Sequence, residues 1–124
     1  VFKLGANHVM RGLNSTNIYD ISNLIAELAV INNMGSTHIL VQGINGVSAT
    51  GNPFAPVPTL AFDNTENFPE EVQLSLKENS NKYFVLDLSQ LRPNAKSYSD
   101  NMQEWMFKYD FVILIKDANS TRSF

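Results

Sequence analysis

Apolar residues gather in four short runs separated by polar, glycine-bearing stretches: residues 1–6, 38–42, 83–88 and 111–115. The last three are nearly continuous rather than alternating, the pattern of strands covered on both faces, as in a parallel sheet flanked by helices. Helix signals fill the intervals. Asp20 is placed to cap a helix carrying Ile21, Leu24, Ile25 and Leu28 at i, i+3, i+4 and i+7, with Gly35 as its stop. Pro69 at the first helical position, with Asn67 near the cap, predicts a second helix to about residue 79, although residues 72–76 also alternate like a strand. Ser99 or Asp100 can cap a third, with Met102, Trp105 and Met106 at helical spacing as a core stripe. The expected fold is therefore α/β: a mostly parallel, open sheet of about four strands with helices on both faces, joined by right-handed crossovers.

Residues 43–68 break this rhythm. They carry Gly43, Gly46, Gly51, Pro53, Pro56 and Pro58 and show no helical period, which predicts one long loop or lid. Phe54, Leu60 and Phe62 suit a segment that packs against something.

Composition narrows the class of function. With 124 residues the chain is sized for a single α/β unit. A net charge of −3 gives no electrostatic footprint for nucleic acid, and no apolar run approaches the ~18 residues of a membrane span. Cysteine is absent, which excludes disulfides, zinc–cysteine sites and thiol catalysis. A cytoplasmic or an exported bacterial setting fits equally. The chain opens on Val1-Phe2-Lys3-Leu4, strand-like from its first residue. That is expected of the C-terminal part of a longer domain, with either a missing N-terminal half or self-association at the open edge.

In a parallel sheet, groups that follow the strands share its carboxyl edge. Asn7, His8 and Arg11 follow the first run, Gln42 the second, Asp87 lies at the end of the third, and Lys116 and Asp117 follow the fourth. A histidine can serve there as general base and an arginine as anion clamp, with Asn7, Gln42, Asp87 and Asp117 holding substrate. The sequence requires no cofactor, though histidine with carboxylates is also compatible with a divalent metal. Each residue has a structural alternative. His8 can bond a carbonyl at a strand end, Arg11 can bridge a surface carboxylate, and Asp87 can pair with a loop amide or Arg92. His38, at the start of a buried strand, reads as structural.

Gly5-Ala6-Asn7-His8 forms a G-x-x-H motif, closely followed by Arg11-Gly12. With the Leu86-Asp87-Leu88 segment and the run from Tyr109 to Asp117, it resembles the C-terminal portion of erythromycin-esterase-like proteins, whose superfamily also holds the ChaN-type haem-uptake proteins and the TraB/Tiki proteases. The resemblance implies a hydrolase in which His8 matches the second-motif histidine, Gly5 its glycine and Arg11 a family arginine. Such a histidine would help activate water against a small-molecule ester or a peptide-like substrate, with a metal-dependent centre in the Tiki branch. The family's first motif, of Gly-Glu-x-x-His type, has no counterpart here, so the piece alone is expected to be inactive. The alternative is a non-catalytic ligand- or protein-binding α/β module with residues 43–68 as its recognition element.

Overall fold

The computed structural model describes residues 8–13, 17–49 and 59–119. The strand expected over residues 1–6, with Gly5 and Asn7, lies outside the described residues, as does the Pro-rich stretch 50–58.

Three helices and five strands follow in order: α1 (Ile21–Ile31), β1 (Ile39–Gly43), β2 (Asn45–Ala49), β3 (Thr59–Asp63), α2 (Glu70–Glu78), β4 (Tyr83–Asp87), α3 (Asp100–Lys108) and β5 (Phe111–Ile115). The three helix expectations and the last three strand expectations each meet an element of the same kind. Their arrangement differs from the expected sheet. β1, β5 and β4 form a three-stranded sheet in that order, with β1 parallel to β5 and β4 antiparallel to it. The sheet is thus mixed.

The connection between β4 and β5 explains the reversal. A single helical pass would return the chain to the far end of the sheet. Here the chain runs out through two 3-10 turns, Leu88–Gln90 and Arg92–Ser97, and back through α3. Two passes end where they began, so Phe111 lies opposite Asp87. Arg92-Pro93-Asn94-Ala95-Lys96 has no apolar period, so nothing in the sequence marks the outgoing pass.

Residues 43–68 are likewise not one loop. β2 and β3 pair antiparallel from Asn45 opposite Asp63 to Ala49 opposite Thr59. Backbone bonds from the Val47 N–H to the Ala118 carbonyl and from the Ala118 N–H to the Asn45 carbonyl fasten this hairpin to the strand beyond β5. Gly46 permits the contact: its φ is +141°, and a Cβ there would lie 2.0 Å from the Ala118 carbonyl oxygen.

The core lies on one face of the sheet. Leu40, Val112 and Leu114 point to it and pack with Val72 and Leu76 of α2, Met102 and Met106 of α3, and Phe68. Trp105 is partly buried and meets Phe68 and Tyr109 edge-on, which agrees with the core-stripe reading of α3. On the opposite face, Ile39, Val41, Tyr83 and Val85 are 44–67% exposed. Among the described residues, helices therefore cover one face and not two. The continuous apolar runs arise because the outer row is apolar as well, and sequence gives no separate sign that it is open.

Candidate functional site

α1 begins where Asp20 accepts the Ile21 N–H at 2.7 Å, as its position predicts. It stops at Asn33, whose φ of 53° ends the helix two residues before Gly35, the expected terminator. The Met34 N–H then closes the turn onto the Ala29 carbonyl at 2.7 Å.

Three side chains fasten this helix to the rest of the molecule. Buried Ser22 donates to the Met10 carbonyl at 2.5 Å. Asn23 bonds both the N–H and the carbonyl of Gly12, each at 2.8 Å. Residues 9–12 are anchored in turn, for His38 Nδ1 donates to the Val9 carbonyl at 2.8 Å and the Arg11 N–H donates to the Lys108 carbonyl. The acceptor fixes the proton of His38 on Nδ1, so the structural reading of that histidine holds.

α1 adds nothing to the main core. It stands beside the start of β1 and leaves a cleft of about 670 Å³ between them. Ile25, Leu28 and Ala29 form one wall, Met34 and Gly35 the turn, and His38 and Ile39 the other wall. Ser22, Asn32, Ser36 and Thr37 add a few polar groups to a mostly apolar lining.

Beside the cleft sits a charged cluster centred on Asp110. One carboxylate oxygen accepts from Arg11 and, at 2.8 Å, from the His38 N–H, while the other accepts from Arg92 at 2.8 Å. Arg11 also reaches the Ser36 carbonyl, and Arg92 donates to the carbonyls of Met106 and Tyr109. Burial alone would raise the Asp110 pKa, but the bonds from Arg11, the His38 amide and Arg92 outweigh it and hold the carboxyl at about 2. The cluster ties residues 11, 38, 92 and 110 together, with both guanidinium groups bonded to the Asp110 carboxylate. That makes it a structural clamp.

The structure divides the expected site residues between the two ends of the sheet. His8 and Arg11 lie near the amino end of β1, because Val9 is bonded to His38 there. Asp87 joins that end, since antiparallel β4 finishes opposite the start of β5. Gln42 pairs with Leu114 near the carboxyl ends of β1 and β5, and Asp117 follows β5 at the same end. Some 13–16 Å separates the two ends at a strand rise of about 3.3 Å per residue. A single shared rim is not formed. Asn7 lies outside the described residues.

Local roles account for most of these groups. Asp87 accepts the Ser89 N–H and hydroxyl at 3.1 and 2.5 Å, capping the turn after β4. Asp117 adopts a left-handed φ of 49° and bonds Asn45 through its N–H. Lys116 donates to the Leu76 and Asn79 carbonyls, where a cation favours the end of α2. His8 is about half exposed and meets Asp20 through Nδ1 at 2.5 Å. Among the described residues, no cluster of three or more histidine or carboxylate side chains is placed to hold a metal ion.

Sequence reasoning passed over Asp110 and the α1–β1 cleft, and offered Arg92 as a partner for Asp87 where the structure pairs it with Asp110. A lone carboxylate directly before a buried strand marks Asp110 in retrospect. The cleft has no sequence signal, for it depends on where α1 stands. No family model, curated protein or solved structure matches this chain.

Proposed function

We propose that this chain is a non-catalytic binding module whose ligand, a small apolar molecule with one or two polar groups, occupies the cleft between α1 and β1. The carrying observation is the cleft itself. Its volume of about 670 Å³ falls among ligand sites of roughly 300–1,000 Å³, and its aliphatic walls with a few polar groups match their usual lining. The Asp110 clamp beside it fixes His38 and Ser36, so the polar edge of the cleft is preorganised.

Gly35 supplies the test. A Cβ there meets nothing within 4 Å, so Gly35→Leu adds bulk to the cleft without a backbone clash. An apolar fluorescent dye such as anilinonaphthalene sulfonate is expected to bind the parent chain and to lose at least about tenfold in affinity, or 1.4 kcal/mol, in the variant. Equal dye affinity in two equally stable proteins would sink the proposal.

A second reading, of an erythromycin-esterase-like hydrolase, is supported by the His8–Asp20 contact. A carboxylate on Nδ1 orients an imidazole so that Nε2 can take a proton from water, the arrangement a general base needs. In that reading His8→Ala in a parent-length protein lowers ester or peptide hydrolysis by about 10²-fold or more. Undiminished turnover across both substrate panels would remove His8 from the mechanism.

A further inference from the structure

α1 presents an exposed apolar stripe along its length, and one member of it, Leu28, also lines the cleft. Ile21, Leu24, Leu28 and Ile31 are 47, 54, 49 and 74% exposed. Their spacing of three, four and three residues is that of positions a and d over two heptads, the seam by which one helix packs on another. A stripe serving only its own core would be buried, as the Val72 and Leu76 pair of α2 is.

The order along the stripe identifies the partner. Ile-x-x-Leu-x-x-x-Leu-x-x-Ile reads the same in both directions. A two-fold interface requires a patch complementary to itself, and an antiparallel pair of α1 helices centred on residue 26 meets that requirement. Ile21 of one copy then lies against Ile31 of the other, and Leu24 against Leu28. We propose that α1 docks on α1 of a second copy of this chain in this antiparallel register.

Size and order support the same partner. Leu28 carries the stripe into the cleft wall shared with Met34 and Ile39, and Val41 extends it along the open face of β1. At roughly 100 Å² of exposed apolar surface each, these seven side chains approach the ~800 Å² per partner of a standard interface. An isolated helix of 11 residues would not persist, but Asp20, Ser22 and Asn23 already hold this one in place, so association need not pay for its nucleation. Glu27 is the only charged side chain within α1, and it flanks the seam on the same side as its two-fold mate. Added salt should therefore tighten the pair by screening that repulsion.

Leu28, Met34 and Ile39 belong to both surfaces, but Ile21, Leu24 and Ile31 do not line the cleft, so substitutions there test this proposal separately from the ligand proposal. The 124-residue chain is expected to sediment as a dimer whose affinity rises with salt, and Leu24→Glu to weaken it by at least about tenfold with an unchanged far-ultraviolet circular-dichroism spectrum. The chain has no cysteine, which makes register directly readable. Under mild oxidation, Ile21→Cys mixed with Ile31→Cys is expected to give a mixed disulfide faster than either variant links to itself. A parent chain that stays monomeric up to near-millimolar concentration overturns the proposal. So does a dimer indifferent to Leu24→Glu, or cysteine variants that each couple to themselves first.

Discussion

Asp110 shows how one side chain organises a region that no local pattern defines. Its two oxygens gather Arg11, Arg92 and the His38 amide, joining segments 72 to 99 residues away and one 18 residues away. Its carboxyl is held at about 2, below the roughly 3.9 of an unfolded chain. The folded state therefore binds the proton less readily, and the stabilisation is fully present above pH ~4 and lost as pH falls towards 2. Asp110→Asn should cost about 2–3 kcal/mol at neutral pH, because two arginines lose their counter-charge in a partly buried setting. Urea titrations between pH 7 and pH 2 should then show a shallower acid loss in the variant than in the parent, since its main titrating group is gone.

Elements were legible where capping and period agreed. α3 is the clearest case: Ser99 accepts the Met102 N–H at 3.2 Å, as a cap at that position should, and Met102 and Met106 fall on its buried face. Glu71 reinforces this cap from α2 by accepting the Ser99 N–H and hydroxyl. Burial works against the charged Glu71, yet these bonds lower its pKa. Ser99→Ala is expected to cost about 1–2 kcal/mol in thermal or denaturant melts, the upper range for a cap, because it removes both the cap and a bond from α2. Elements were illegible where the deciding signal lies elsewhere in the chain. The 3-10 pass at Arg92–Ser97 has no apolar period and is held by the Arg92 contacts to α3 and Asp110. β2 and β3 are too irregular to read as strands, and they owe their place to Ala118.

At the scale of the molecule, the sheet has a packed face and an open one. Leu114 is fully buried, whereas Val85 on the neighbouring strand is 67% exposed. Leu114→Ala should cost about 2–5 kcal/mol by leaving a void, while Val85→Ala should stay within about 0.5 kcal/mol. Comparable losses at both positions would show that the outer row is covered in solution. The expectation of one functional rim failed at this scale, since it depended on all strands sharing a direction. Asp87 is parted from Gln42 and Asp117 because β4 runs the other way, and His8 and Arg11 are parted from them because the His38–Val9 bond holds residues 8–11 at the amino end of β1. Residue types alone carry no record of that choice.

The strand order β1-β5-β4 places the latest of these strands in the middle. As a nascent chain leaves the ribosome, β1 and β4 emerge with no neighbour in this sheet to zip against, and the centre strand arrives after both. Assembly of the sheet must therefore wait for the most distal segment and then close long loops at once, a topology that favours slow folding and a lasting need for protection of the early strands.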